Sequence, residues 1–177
     1  IFTATDSCGN STSTTATFTI EDTTAPTIDT PAQDATVECD GAGNASALAA
    51  WLSGNGGSSA SDICSGVNWT NNYTGLSDGC GNTGSATVIF TATDSCGNST
   101  TTTATFTIED TTAPTIDTPA QDATVECDGA GNASALAAWL SNNGGASASD
   151  ICSGVNWTNN YTGLSDGCGN TGSATVI

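Results

Sequence analysis

The side chains in this sequence that could do chemistry are carboxylates and thiols. The 177 residues contain 18 Asp and Glu, eight Cys, and no Lys, Arg or His. No side chain therefore has an ordinary pKa near neutrality that suits a general base, and neither a Ser–His–Asp nor a Ser–Lys arrangement can be assembled. We expect that the protein is not an enzyme.

The carboxylates recur at fixed places along the chain. Glu21–Asp22 and Glu109–Asp110 directly precede proline-containing segments, and Asp6 and Asp94 lie in predicted turns. Clustered carboxylates with no cation repel one another unless they are solvated or bind a metal, and Ca²⁺ takes about six to eight oxygen ligands in flexible geometry. We predict a calcium site at the repeat junctions; the alternative is a solvated acidic surface that favours solubility. The predicted ligands are Asp6, Glu21, Asp22, Asp94, Glu109 and Asp110.

The net charge of −18 also limits the partners of the protein. Nothing in the sequence could neutralise phosphates, so nucleic acid is excluded as a partner, and an anionic membrane surface is disfavoured. No apolar run approaches the roughly 18 residues that a membrane-spanning helix needs, so we expect no membrane insertion.

The cysteines indicate disulfides and an oxidising, extracellular compartment. The alternative role for several cysteines is a zinc site, but the sequence contains no CxxC pair. Four cysteines per repeat allow three connectivities, and we favour Cys64–Cys96 because the two residues have similar contexts, Asp-Ile-Cys and Asp-Ser-Cys. This choice leaves Cys39–Cys80, repeated as Cys127–Cys168, while Cys8 and Cys152 would pair outside these 177 residues.

The dominant feature of the chain is a repeat of 88 residues. Residues 1–88 and 89–176 differ at three positions, Ser13/Thr101, Gly54/Asn142 and Ser58/Ala146. Near-identity of this kind favours a long array in which every repeat has the same role. Pro26 and Pro114 mark the boundaries, because proline stiffens the chain and removes a backbone donor. We therefore expect a C-terminal hairpin of a preceding repeat at 1–22, a complete repeat at 23–110 and a repeat lacking its last hairpin at 111–177.

Alternating apolar residues predict β-strands in the complete repeat. Residues 86–93 and 103–108 flank the turn 94–98 and predict a hairpin with one apolar and one threonine face; further strands are predicted at 35–39 and 67–75. Residues 44–52 are rich in Ala and Leu and predict one short helix, capped by Asn44. The predicted fold class is all-β: tandem immunoglobulin-like β-sandwich repeats, each with one short α-helix and two disulfides.

Three segments of each repeat resemble a known class of sequence. Phe90–Asn98 (FTATDSCGN), Phe106–Pro114 (FTIEDTTAP) and Ala35–Asp40 (ATVECD) are similar to HYR-like, immunoglobulin-like repeats of very large surface adhesins of Bacteroidota, including gliding-motility adhesins exported by the type IX secretion system. The resemblance implies a sandwich fold, a cell-surface location and a role in adhesion or filament building. It implies no catalytic residues.

The sequence thus predicts a structural repeat of a secreted cell-surface adhesin or extracellular filament, whose expected partners are the neighbouring repeats and surface glycans or abiotic surfaces. One alternative is a multivalent, weakly glycan-binding module, in which Trp51, Trp69 and Tyr73 would form a sugar platform; aromatic residues of this kind more often fill a core. Another alternative is a fibre subunit in which hairpin 1–22 completes the unfinished repeat of a neighbour by strand addition.

Overall fold

A computed structural model describes all 177 residues of the chain. The structure is mostly β, with two short α-helices, as the alternating pattern predicts. The elements in chain order are β1 (Phe2–Thr5), β2 (Ser11–Thr14), β3 (Thr27–Thr30), β4 (Ala35–Glu38), α1 (Ala45–Ser53), β5 (Ser59–Ser61), β6 (Asn68–Asn71), β7 (Gly84–Thr93), β8 (Ser99–Glu109), β9 (Thr115–Thr118), α2 (Ala133–Ser141) and β10 (Ser147–Ser149), with a 3₁₀ turn after each helix, at Asn55–Gly57 and Asn143–Gly145.

The centre of the complete repeat is the hairpin of β7 and β8. The two strands pair antiparallel from Gly84 opposite Ile108 to Thr93 opposite Ser99. Successive side chains of a strand point to opposite faces, so the even-numbered residues of both strands, most of them apolar, share one face and the odd-numbered residues, most of them Thr, share the other. Six apolar residues on that face are buried: Val88, Phe90 and Ala92 of β7, and Ala104, Phe106 and Ile108 of β8.

This hairpin lies inside a four-stranded sheet in the order β4–β8–β7–β6. Strand β4 runs parallel to β8, with Ala35 opposite Phe106, and β6 runs antiparallel to β7, with Trp69 opposite Ala92. Strands β3 and β5 form a separate antiparallel pair. The last hairpin of the repeat therefore supplies the two central strands of its main sheet.

Helix α1 covers the apolar face of the hairpin. The ring centroid of Trp51 lies 5.2 Å from that of Phe90 and 5.5 Å from that of Phe106. Asn44 precedes the helix in a left-handed conformation, and its side chain does not cap it. Its amide instead donates to the carbonyl of Glu38 and its oxygen accepts from the N–H of Asp40, so Asn44 ties the helix to the end of β4.

The two flanking segments are incomplete relative to residues 23–110. Strands β1 and β2 pair with each other, and every residue from 1 to 20 is exposed. The second repeat forms β9, β10 and α2, whereas residues 123–126 and 156–159, the equivalents of β4 and β6, are not strands. Their partners in the first repeat are β8 and β7, and most of that hairpin has no counterpart between 111 and 177, so these segments have no strand to pair with.

The structure corrects one part of the predicted fold. It contains one disulfide, between Cys39 and Cys152, rather than two within each repeat. The bond joins the complete repeat to the following one. No helix of the chain is long and apolar enough to cross a membrane.

Candidate metal centre and repeat junction

Three carboxylates that are far apart in sequence meet at one end of the complete repeat. One oxygen each from Asp22, Asp62 and Asp94 lies within 4.8 Å of the other two. Asp22 comes from the segment that enters the repeat, Asp62 follows β5, and Asp94 follows β7. We refer to these three residues as the carboxylate cluster.

The turn between β7 and β8 fixes the carboxylate of Asp94. Its Oδ1 accepts hydrogen bonds from the backbone N–H groups of Cys96 and Asn98, both at 2.8 Å, and its Oδ2 accepts from the side chain of Asn98 at 2.8 Å. Asp94 is only 6% exposed. The Asn98 side chain also donates to the carbonyl of Asp22 at 3.2 Å, so one residue holds two members of the cluster together.

The other two carboxylates each have one oxygen that accepts a backbone N–H. Oδ1 of Asp62 accepts from Cys64 and Ser65, both at 2.9 Å, and Oδ1 of Asp22 accepts from Thr24 at 3.1 Å. Oδ2 of Asp22 is buried and has no hydrogen-bond partner. A buried acceptor without a donor is costly, and a bound cation would satisfy it.

The hydrogen bonds around Asp94 favour its ionised form. Burial opposes the charge on Asp94, but the hydrogen bonds from Asn98 and Cys96 outweigh it, so the pKa of Asp94 lies below its usual value. The same surroundings act in the opposite direction on a neighbouring thiol. Desolvation and then the charges of Asp22 and Asp94 raise the pKa of Cys96. The cluster offers three carboxylate oxygens, and Ca²⁺ is the common biological cation that prefers such ligands in irregular geometry.

The structure brings together two of the six predicted metal ligands, Asp22 and Asp94, and adds Asp62, which the sequence analysis missed. The signal that could have identified Asp62 is the shared Asp-x-Cys context of residues 62–64 and 94–96, used above only to pair cysteines. The remaining four predicted ligands lie elsewhere. Glu21 and Glu109 are exposed, Asp6 accepts hydrogen bonds within its own turn from Cys8 and Asn10, and Asp110 accepts from Ser153.

The second half of the junction is the disulfide between Cys39 and Cys152. The two residues are 113 positions apart, and both are buried, at 4% and 3% exposure. This bond replaces the predicted Cys39–Cys80 pair and the predicted external partner of Cys152. The physical reason is that the segment around Cys152 packs against the end of β4, beside Asn82, whose N–H donates to the Cys152 carbonyl at 2.9 Å. The thiols predicted to pair otherwise are free, at Cys8, Cys64, Cys80, Cys96, Cys127 and Cys168.

A carboxylate also holds the segment that links the two repeats. Glu38, the last residue of β4, accepts hydrogen bonds from the N–H and the hydroxyl of Thr111 and from the hydroxyl of Thr112, each at 2.9 Å. The pKa of Glu38 is lowered, first by the Thr111 N–H and then by the two hydroxyls. Glu38, at the end of β4, therefore holds both threonines of the linker, Thr111 and Thr112.

The aromatic residues that could have formed a sugar platform belong to the core. Trp51 packs on Phe90 and Phe106, and its indole N–H donates to the carbonyl of Gln33. Trp69 and Tyr73 pack against the buried cluster that contains Val88 and Phe90. They do not form an exposed row of rings of the kind that stacks on sugars.

The chain has no match among known protein-family models, and no curated protein is significantly similar to it.

Proposed function

We propose that the chain is a structural segment of a secreted cell-surface adhesin or extracellular fibre, built from immunoglobulin-like sandwich repeats of the HYR-like class. The observation that carries the proposal is that the disulfide, the Glu38 hydrogen bonds and the carboxylate cluster all lie where one repeat meets the next. The Cys39–Cys152 bond and the Glu38 contacts join one repeat to the next, and the carboxylate cluster includes Asp22 from the entering segment.

These contacts suit a stalk that carries load or holds a fixed length. A covalent bond between repeats prevents the two units from separating when the linker is stretched. Hydrogen bonds from Thr111 and Thr112 to one carboxylate limit rotation of the linker. In a near-identical array the same junction would occur at every repeat, so small effects on each junction add up along the fibre.

Calcium is the proposed ligand of the carboxylate cluster. Asp22, Asp62 and Asp94 would hold it, and the unpartnered Oδ2 of Asp22 would gain a partner. Bound Ca²⁺ offsets the repulsion between the three carboxylates and links the entering segment to two loops of the repeat. Its role is structural: it orders the junction.

The experiment is thermal unfolding and calorimetric titration of the oxidised 177-residue chain in calcium, in magnesium and in excess EDTA. We expect calcium to raise the melting temperature. The variant Asp62→Asn should bind calcium at least roughly tenfold more weakly, because it removes one charge. It keeps an oxygen that can accept from Cys64 and Ser65, so the loop should remain folded. The matched control is Asp78→Asn, which removes the same charge from an exposed residue outside the cluster.

Equal melting temperatures in calcium and EDTA would overturn the calcium part of the proposal and identify the carboxylates as a solvated coat. The location is tested separately, by labelling intact source cells with an antibody to the chain. Labelling that requires permeabilised cells would contradict the surface assignment.

A further inference from the structure

The disulfide between Cys39 and Cys152 creates a second covalent route along the chain. The two residues are 113 positions apart, so the 112 residues 40–151 form a loop that the sulfur bridge closes. Tension applied outside this loop can pass from Cys39 directly to Cys152. The loop contains both α-helices and the central hairpin of β7 and β8. Most of the buried core therefore lies off the shortest covalent route through the chain.

The bridge begins beside the point where the main chain leaves the complete repeat. Cys39 directly follows β4, and its N–H donates to the carbonyl of Glu109, the last residue of β8, at 2.8 Å. Strands β4 and β8 run parallel, so both end at the same edge of the repeat. The sulfur bridge and the main-chain linker therefore span the same junction side by side.

Without the bridge, tension would leave the repeat through β8. Asn98 holds the carbonyl of Asp22 at the start of β8, so tension between the entering segment and the linker would run along all 11 residues of this strand. Strand β8 lies between β4 and β7 and carries the buried side chains of Phe106 and Ile108. Pulling this strand out of the sheet would open the core of the repeat.

The surroundings of the bridge protect it. Cys39 and Cys152 are 4% and 3% exposed, and the N–H of Asn82 donates to the carbonyl of Cys152 at 2.9 Å. Reduction by a thiol requires a thiolate to reach one of the two sulfur atoms, so burial slows it. A covalent bond that is kept closed in this way still holds when the hydrogen bonds of a strand have broken.

We propose that the Cys39–Cys152 bond is a mechanical bypass, which limits how far the chain can be stretched and keeps the central hairpin folded under tension. With the bond closed, only residues 1–39 and 152–177 can be pulled straight. The biological meaning of the bypass rests on the proposed role of the chain in a stalk, whereas the length that tension can extend depends on the bond alone.

The hairpin is also bypassed in a longer array. Cys152 is the equivalent of Cys64, so the same bond at the preceding junction would bring tension into the complete repeat at Cys64. The shortest covalent route through the repeat would then run from Cys64 back to Cys39. Residues 84–109, which contain the hairpin, lie outside this route as well.

The test is single-molecule stretching of the oxidised 177-residue chain between two handle proteins joined to its ends. We expect the fully stretched chain to be roughly 400 Å shorter with the bridge closed than after reduction, because the 112 residues of the loop stay out of the stretched path. Dithiothreitol is the reductant: it gives two electrons and two protons to the two sulfur atoms and becomes a cyclic disulfide. An opening step of roughly 300 Å, from unfolding of residues 23–110, should appear only in the reduced chain.

Two variants separate this bond from the other cysteines. Cys39→Ser should give the long form without reductant. The matched control Cys127→Ser replaces a free thiol at the equivalent position and should keep the short form. The stretched length does not depend on whether a variant folds, so a destabilised Cys39→Ser chain still tests the proposal.

Equal stretched lengths before and after reduction would overturn the bypass. A shortening of only roughly 150 Å would also overturn it, because that is the length removed by a bond between Cys39 and Cys80 within one repeat. These lengths depend neither on calcium nor on where the protein lies on the cell. Failure of the bypass is therefore distinguishable from failure of the proposed function, which the calcium titration and the cell labelling test.

Discussion

Phe2 and Phe90 occupy the same position of the 88-residue repeat, yet Phe90 is completely buried and Phe2 is 68% exposed. The residues around them in sequence are the same, so the difference comes from what each hairpin packs against. Around Phe90 are Trp51 of the helix and the neighbouring strands of its sheet. Phe2 has none of these partners.

This pair gives a direct test of the core. Phe90→Ala should lower the free energy of unfolding by about 3–5 kcal/mol, because it removes a fully buried ring from between the helix and the sheet. Phe2→Ala should leave it unchanged, because this ring is mostly exposed. Urea unfolding followed by tryptophan fluorescence measures both variants. Equal losses would show that hairpin 1–22 is packed in the isolated chain.

A glycine at the disulfide junction provides a second matched pair. Gly81 has a φ of +61°, and a Cβ there would clash with the carbonyl oxygen of Cys152; its equivalent Gly169 has a φ of +67° and open space around it. Ala at either position strains the backbone, but only Gly81→Ala also displaces the following repeat. We expect Gly81→Ala to be less stable than Gly169→Ala by about 1–3 kcal/mol in thermal unfolding. Identical melting temperatures would contradict the close contact between Gly81 and Cys152.

The pairing of Cys39 with Cys152 predicts the effect of removing it. A bond that closes 113 residues contributes about 4–5 kcal/mol in the chain-entropy model, so Cys39→Ser should destabilise the oxidised chain strongly. Cys127→Ser, at the equivalent position with a free thiol, should have little effect on stability. Peptide mapping under non-reducing conditions identifies the bond itself. Recovery of a peptide in which Cys39 is joined to Cys80 would show that the disulfide lies within one repeat and that no covalent bond links the two repeats.

The lowered pKa of Glu38 predicts a dependence of stability on pH. Its folded value lies below the ordinary 4.5, so its contribution is fully present above pH 4.5 and is lost as the pH falls through the folded pKa. Glu38→Gln should therefore flatten the acid side of a plot of melting temperature against pH. Its repeat equivalent Glu126, whose side chain accepts no hydrogen bond, is the control, and Glu126→Gln should keep the slope of the unmodified chain. A slope that is the same in both variants would show that the threonine contacts do not form.

The sequence alone predicts those parts of the fold that depend on local pattern. Alternation from Ala86 to Ile108 predicts the hairpin and its buried face, and the Ala- and Leu-rich segment predicts helix α1 within about one residue at each end. Strand 67–75 is shorter than predicted, at Asn68–Asn71, because the pairing with β7 ends where the chain turns away. The prediction that the Asn44 side chain caps the helix is wrong, because this side chain binds the end of β4 instead of the helix N-terminus.

The contacts between repeats could not be predicted in the same way. Cys80 lies nearer than Cys152 to Cys39 in sequence, and nothing in a repeated pattern tells whether a bond forms within one copy or between two. Asp62 joins Asp22 and Asp94 only because the loops after β5 and β7 meet at one end of the sheet. Sequence patterns therefore predicted the elements, while the junctions required the packing of whole repeats.

The central hairpin is also the last part of each repeat in chain order, which affects how an array would fold as it emerges from a ribosome or an export channel. The helix and β3 to β6 come out first and expose the surfaces that later surround Phe90 and Phe106. The main sheet cannot be completed until residue 109 has emerged, because β4 pairs with β8. Each repeat should therefore remain partly unfolded until its last two strands have emerged. A chaperone or a pause in synthesis or export would act most usefully at this stage, because an identical hairpin from a neighbouring repeat could otherwise insert in its place.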